Sequence, residues 1–228
     1  MCTEPNRIKA PRTPHLPWSS GGTDDDLRQS KLSEWWANSD CVVTEKVDGS
    51  SATIYWDGYF HARSTDSQYH ESQWPVRQAA QRIAVTGALP DGWRIQLENC
   101  CFAQSISYSR LPSHLLLLFV WDDRNTMLDW KSTLEWCATI KSTAGLERFS
   151  SVPSLYEGTY DESLIRETFT GESVFGGLQE GYVLRSAGSV NYDDFGHSVA
   201  KFVRPDYIQV NWRTSPLVKN KLSDDLHG

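Results

Sequence analysis

Apolar residues recur along this chain with two different periods, which together predict an alternation of strands and helices. Short alternating or continuous apolar runs predict β-strands over 41–47, 93–100, 115–123, 180–188 and 199–205. A further stretch predicts a β-hairpin over 51–64, turning at Asp57-Gly58. Apolar positions three and four residues apart predict helices over 25–39, 76–89, 127–145 and 161–171. We therefore expect an α+β fold with a strand-rich body and flanking helices.

The two ends of the chain lack these periods. Residues 1–26 contain four prolines in quick succession and predict an irregular N-terminal arm. Within it, Thr23 and Asp24 are the candidate caps of the first helix. Residues 206–228 form a short tail after the last strand, so we expect 1–228 to be a single domain.

Composition indicates a globular protein and gives no sign of a membrane or secretory segment. The longest apolar run, at 115–121, is too short to span a bilayer, and the first residues lack the apolar stretch of a signal peptide. The five cysteines are an odd number without metal-ligand spacing, which indicates a reduced, cytoplasmic chain. The cysteines are Cys2, Cys41, Cys100, Cys101 and Cys137.

Charge is unevenly distributed. The formal net charge of −7 argues against a protein that coats nucleic acid non-specifically. Residues 201–221, however, carry five basic residues against one acidic residue, Asp206. A locally basic face on an acidic protein is compatible with binding a few phosphates.

Four polar positions lie at the edges of the predicted strands. They are Lys46 with Asp48-Gly49, Glu98, Glu180 and Lys201. Each alone is unspecific: Lys46 could be a solvated strand-end lysine, and the two glutamates could be exposed strand-edge carboxylates. Their order along buried strands indicates a shared site.

Six collinear segments resemble the motifs of covalent nucleotidyltransferases, and most closely those of the ATP-dependent RNA ligases of phages and bacteria. The segments are EKVDG (45–49), HARS (61–64), IQLENC (95–100), FVWDD (119–123), EGYVLR (180–185) and AKFVR (200–204). The resemblance implies an antiparallel-rich nucleotidyltransferase core, the ATP-grasp-like adenylation fold of ligases. It also implies ATP and Mg²⁺ (or Mn²⁺) as cofactors. The tail is too short for the OB or helical domain that larger relatives append.

The resemblance implies that Lys46 is a nucleophile that attacks the α-phosphate of ATP and forms a lysyl-AMP intermediate. A lysine amine must be neutral to attack, although its ordinary pKa is about 10.4. We expect burial and nearby cations, namely Lys201, Arg204 and the metal, to lower that pKa. Lys201 is implied to act catalytically by meeting the α-phosphate.

The remaining nucleotide-site roles also come from the resemblance. Glu98 is implied to bind the ribose hydroxyls, and Glu180, a catalytic residue, to hold the metal together with Glu98. Asp48 flanks the nucleotide or caps its own turn, and Gly49 allows close approach or merely turns the chain. An aromatic residue before Asp122 is implied to stack on adenine, with Trp121 as the first candidate and Phe119 as the second.

Basic residues outside the nucleotide site are implied to contact RNA. Arg63 would bind the incoming 5′ phosphate or the nucleotide, unless it is simply an exposed hairpin arginine. Arg204 follows the position where many relatives carry a second lysine and this chain has Val203. Arg213 and Lys219 extend the basic stretch. The segment PRTPHLPWS (11–19) resembles the start of bacterial relatives, without a role for His15.

The function implied is an ATP-dependent RNA ligase that joins 5′-phosphate and 3′-OH RNA ends, alone or with a protein partner. The alternatives are a DNA ligase, a GTP-dependent capping-type nucleotidyltransferase, and a non-catalytic module that binds nucleotide or RNA ends.

Overall fold

The structure is a computed structural model, and it describes residues 7–21, 26–29, 36–207 and 217–223. Its strands form two antiparallel-rich sheets, which agrees with the expected α+β class. The first sheet has the strand order β11-β9-β1-β8, all antiparallel. Its strands are β1 (Asp40–Lys46), β8 (Ser154–Thr159), β9 (Gly181–Ser186) and β11 (Val199–Val203).

The second sheet has the order β10-β6-β5-β4-β2-β3, with β7 pairing parallel to β5. Its long central strands are β2 (Ser50–Tyr55), β4 (Arg94–Asn99) and β5 (Leu115–Trp121). Its short strands are β3 (Phe60–His61), β6 (Thr126–Met127), β7 (Ser150–Ser151) and β10 (Val190–Asn191).

In the described part of the chain, four α-helices pack around the sheets: α1 (Trp74–Thr86), α2 (Trp130–Thr143), α3 (Glu162–Glu167) and α4 (Phe195–Ser198). Helix α1 ends at Gly87, whose φ of 63° is the left-handed conformation that glycine adopts without strain. Helix α2 begins at Asp129, whose side chain accepts the Ser132 N–H. The predicted helices over 76–89 and 127–145 correspond to α1 and α2, but α1 ends three residues earlier and α2 starts three residues later than predicted, because residues 126–127 form β6. No helix among the described residues is long and apolar enough to cross a membrane.

Two parts of the chain differ from the predictions. Residues 26–29 are not helical, because Arg28 instead forms a parallel bridge with His15 of the arm. The predicted helix over 25–39 is therefore wrong at its start, and residues 30–35 lie outside the described residues. Strand β8 was not predicted, because it is an edge strand without buried alternation.

Clusters of buried apolar residues cover the outer faces of the sheets and also lie between the two sheets. Helices α1 and α2 cover one face of the second sheet through Ile83 and Ile140. Between the sheets, Val42 of β1 and Leu116 of β5 share one buried cluster with Trp130. The inner faces of the two sheets are thus buried against each other.

Candidate nucleotide-binding site

A cavity of about 340 Å³ lies between the two sheets. Its volume falls within the ordinary range for small-molecule sites. Strands β1, β9 and β11 line one side, and β2, β4 and β5 line the other. The lining includes Lys46, Gly49, Arg63, Glu98, Phe119 and Lys201 from the sequence-predicted site. The fold thus brings residues from all six motif segments to one cavity.

Lys46 and Glu180 form an ion pair at the wall of the cavity. Lys46 ends β1 and pairs in register with Gly181 of β9, so that Glu180 lies beside it. Lys46 Nζ lies 2.5 Å from Glu180 Oε1. Glu180 is buried, and its Oε2 has no hydrogen-bond partner among the described residues. One carboxylate oxygen is therefore committed to the lysine, and the other is available to a ligand.

This ion pair changes the expected protonation of Lys46. Burial lowers the pKa of Lys46, but the carboxylates of Glu180 and Glu98 outweigh burial and leave that pKa above its ordinary value. The expectation of a lowered pKa is therefore wrong for this arrangement of side chains. Lys46 is held as an ammonium and must lose both its proton and its partner before it can act as a nucleophile.

Glu98 provides a second carboxyl group close to Lys46. It lies on β4 opposite Ser51 and lines the cavity. Burial raises the pKa of Glu98 to about 8, with Lys46 opposing this rise and Glu180 adding to it. Glu98 is therefore largely protonated at neutral pH.

These two carboxyl groups fit a divalent cation that takes its other ligands from substrate. Mg²⁺ typically binds one or two protein carboxylates together with phosphate oxygens and water. The unpartnered Oε2 of Glu180 is one such oxygen. The described residues contain no cluster of three or more His, Cys, Asp or Glu able to hold a metal by themselves. Glu180 and Glu98 thus suit a metal that arrives with a phosphorylated ligand.

Lys201 places a second ammonium group at the cavity. It lies on β11 opposite Val183, and its Nζ is 3.7 Å from Asp26 Oδ1. Burial and the charge of Lys46 lower the pKa of Lys201, while Asp26 opposes this effect. Arg63 lines the same cavity from an exposed position after β3. These cations could meet a bound phosphate group from two sides.

Asp48 points away from the cavity and organises a neighbouring loop. Its Oδ2 accepts the N–H groups of Ser105 and Ile106, and its Oδ1 accepts the hydroxyl of Tyr207. The carboxylate thus caps the backbone of the 105–106 segment and not its own turn, and contact with the nucleotide stays a prediction. Gly49 does line the cavity, and a Cβ there would lie 2.7 Å from the Asn99 carbonyl oxygen of β4. The close approach of β4 therefore requires glycine at position 49, whether or not a ligand is bound.

The two aromatic candidates occupy different positions. Phe119 lines the cavity, next to Leu118. Trp121 is 1% exposed and packs behind it against Tyr192 and Phe195. Stacking on a base stays a prediction for both, and the geometry favours Phe119.

Of the other residues predicted to contact RNA, Arg204 and Lys219 are not part of the cavity lining. Arg204 follows β11, and its Nε lies 2.6 Å from Asp206 Oδ1. Lys219 is exposed, with its Nζ 5.6 Å from the centre of the Trp74 ring. Arg213 lies outside the described residues.

The sequence-based site omitted Arg185, the last residue of the EGYVLR segment. Arg185 is buried at the cavity wall, with its guanidinium 5.1 Å from the Phe119 ring centre. It donates hydrogen bonds to the carbonyl oxygens of Leu118 and Leu128. Strand alternation could have indicated it, because Arg185 lies two residues after Val183 and so shares its face.

The architecture resembles that of solved RNA ligases. A Naegleria gruberi RNA ligase structure with AMP and Mn superposes with a TM-score of 0.53 at 18% identity, covering 75% of this chain and 51% of that one. A second structure of that ligase, without ligand, gives a TM-score of 0.51 at 19% identity and covers 76% and 52%. The chain thus spans about half the length of these ligases. At such identity the likeness establishes the fold class, a sheet-rich α/β protein.

A family model described as RNA ligase matches residues 39–203. The match begins just before β1 and ends with β11, so it contains every motif segment considered above except Arg204, the last residue of AKFVR. The chain belongs to the RNA ligase family. No curated protein matches it significantly.

Proposed function

We propose that this protein is an ATP-dependent RNA ligase that joins 5′-phosphate and 3′-OH RNA ends through a covalent lysyl-AMP intermediate. The observation that carries the proposal is the position of Lys46, whose amine enters the cavity beside Glu180, Glu98 and Lys201. Family membership supports ligation of RNA. Structures of the Naegleria gruberi ligase with ATP and Mn support the use of ATP and a divalent metal.

In the first step, neutral Lys46 Nζ attacks the α-phosphorus of ATP, and the bond to the β-phosphate oxygen breaks, releasing pyrophosphate. Lys46 must leave its ion pair with Glu180 to do so. A divalent ion bound by Glu180 and Glu98 would supply positive charge that offsets these carboxylates and the α-phosphate charge. Lys201 contributes a second positive charge at the reacting phosphate, where negative charge accumulates.

In the later steps the adenylyl group moves to RNA. An oxygen of the RNA 5′ phosphate attacks the lysine-bound phosphorus, which returns Lys46 as an amine. A neighbouring 3′-OH then attacks the activated 5′ phosphate, forms the phosphodiester and releases AMP. Arg63, exposed at the cavity, is suited to hold the 5′ phosphate, because a guanidinium binds phosphate in a bidentate manner.

The test of the intermediate uses α-labelled ATP with Mg²⁺ or Mn²⁺ and a denaturing gel. The wild-type chain should retain label, and Lys46→Ala should not. Lys131→Ala, which removes an exposed lysine of α2, is the matched control and should label normally. An unlabelled wild-type protein, shown by intact mass to carry no AMP already, would contradict the ligase mechanism and favour a binding module.

The test of substrate uses matched RNA and DNA strands with 5′-phosphate or 5′-OH ends, with ATP or GTP. We expect joined product from ATP and RNA strands that carry 5′-phosphate and 3′-OH ends. Equal joining of all-DNA strands would favour a DNA ligase. Labelling by GTP in preference to ATP would favour a capping-type enzyme.

A further inference from the structure

The N-terminal arm extends the first sheet beside Lys201. The Lys201 N–H donates to the Pro14 carbonyl at 2.8 Å, and the Leu16 N–H donates to the Lys201 carbonyl at 2.8 Å. Farther along, the Gly21 N–H donates to the Val203 carbonyl at 3.0 Å. Strand β11 therefore has backbone partners on both sides, β9 and the arm. Such pairing satisfies backbone groups that a sheet edge would leave open.

A line of side chains runs from β11 through the arm and back to β11. Ser19 Oγ accepts the Val203 N–H at 3.0 Å and lies 2.7 Å from His15 Nδ1. His15 Nε2 lies 3.6 Å from Asp26 Oδ2, and Asp26 Oδ1 lies 3.7 Å from Lys201 Nζ. Asp26 therefore lies between a buried imidazole and the cavity ammonium.

The contacts of His15 bear on which of its ring nitrogens carries a hydrogen toward Asp26. Ser19 Oγ accepts the Val203 N–H and has a hydroxyl hydrogen to donate to Nδ1; in the tautomer that accepts this hydrogen, the ring hydrogen is on Nε2. Burial and the charge of Lys201 lower the pKa of His15 to about 4, although Asp26 opposes this effect. His15 is 1% exposed. In that tautomer a buried, neutral N–H faces the Asp26 carboxylate at 3.6 Å, and Nε2 has no hydrogen-bond partner among the described residues.

We propose that His15 and Asp26 are positioning residues for Lys201: His15 orients the Asp26 carboxylate, and Asp26 holds the Lys201 ammonium at the cavity. This inference rests on the proposed function, in which Lys201 meets the α-phosphate. The other charged groups facing Lys201 are Lys46 from β1, Arg63 from beyond β3 and Glu180 before β9. Glu180 is already bound to Lys46, so Asp26 is the carboxylate that serves Lys201.

Four variants test this arrangement in the full chain. Asp26→Asn removes the charge and keeps the size of the side chain. His15→Leu removes the donor, whereas His15→Gln restores an N–H donor close to the Nε2 position. Asp206→Asn is the matched control, because Asp206 is an exposed carboxylate that pairs with Arg204 outside the cavity lining. Thermal unfolding checks that each variant folds.

The first readout is the rate of self-adenylylation over a range of ATP concentrations. Asp26→Asn and His15→Leu should lower the rate at saturating ATP roughly tenfold, the scale of one charge-assisted contact, with little change in KM. His15→Gln should recover most of the rate. Equal rates in His15→Gln and His15→Leu, or a wild-type rate in Asp26→Asn, would overturn the proposal.

The second readout does not require activity. In protein labelled with ¹³C at lysine Cε, the Lys201 resonance, assigned through Lys201→Arg, reports the pKa of Lys201. Asp26→Asn should lower that pKa by about one pH unit, because a nearby carboxylate stabilises the ammonium. An unchanged pKa would overturn the positioning role even in an active enzyme. If the wild-type protein fails to adenylylate but Asp26→Asn still lowers the pKa of Lys201, the ligase mechanism alone is contradicted and the positioning role stands.

Discussion

Glu98→Gln is expected to stabilise the protein at alkaline pH while impairing its site. The Glu98 carboxyl ionises near its ordinary pKa of 4.5 in the unfolded chain, whereas burial raises its pKa to about 8 in the folded protein. As pH rises from 4.5 to 8, the unfolded chain therefore loses this proton before the folded protein does. The folded state is penalised progressively through this window, and the penalty is complete above pH 8.

The size of the penalty follows from the two pKa values. A gap from 4.5 to about 8 corresponds to about 5 kcal/mol, at about 1.36 kcal/mol per pH unit. Glu98 faces the cavity and is only partly buried, so solvent screening reduces this to about 2–5 kcal/mol. For a chain of this length, each kcal/mol corresponds to about 2–4 °C in Tm. Glutamine does not ionise, so the variant escapes this penalty.

The assay is thermal unfolding of the wild type and Glu98→Gln from pH 4.5 to pH 9. At the acid end the two midpoints should nearly coincide, and above pH 8 the variant should unfold at a temperature higher by roughly 5–15 °C. Glu135→Gln, an exposed carboxyl on α2, serves as control and should follow the wild type. If Tm changes with pH in the same way for all three proteins, burial of Glu98 does not destabilise the folded state at alkaline pH and the reasoning is refuted.

Three further substitutions test other contacts. Glu180→Gln should increase the labelling of Lys46 by an amine reagent at pH 8 at least about tenfold, because its carboxylate keeps the ammonium protonated; unchanged labelling by mass spectrometry would contradict this. Asp48→Asn should lower the free energy of unfolding by about 1–3 kcal/mol in denaturant titrations, because it weakens hydrogen bonds to two backbone N–H groups and one hydroxyl. Phe119→Leu should raise the KM for ATP in adenylylation several-fold, whereas Trp121→Phe should lower Tm and leave KM unchanged; the reverse pattern would assign base stacking to Trp121.

The strands that carry the site could be predicted because their apolar runs are long and their polar residues sit at the ends. The expected strands over 41–47, 93–100 and 199–205 correspond to β1, β4 and β11. Lys46, Glu98 and Lys201 follow from these strands once the two sheets face each other. Local pattern and collinear motifs were therefore sufficient for this part of the candidate site.

Features that depend on tertiary contacts could not be predicted. Residues 25–39 have a helical apolar pattern, but residues 26–29 pair with the arm through the His15–Arg28 bridge and are not helical. The pKa of Lys46 depends on its distance to Glu180, a residue 134 positions later, which no local pattern contains. Trp121 and Phe119 share strand alternation and both contact Phe195, but only Phe119 lines the cavity, whereas Trp121 also packs against Tyr192.

The cavity combines two opposite electrostatic demands within one small volume. The carboxyl groups of Glu98 and Glu180 suit a cation, but they also hold Lys46 protonated. In the absence of substrate, the Lys46 amine is therefore not nucleophilic. Lys201 faces the reverse problem: burial and Lys46 disfavour its charge, and Asp26 counteracts them. Under the proposed mechanism, a phosphate group bound with a metal would reverse both balances, because the metal would offset the carboxyl groups while the phosphate would stabilise the Lys201 ammonium. Activation of Lys46 would then be coupled to the binding of the nucleotide, which would limit reaction of the amine with other electrophiles.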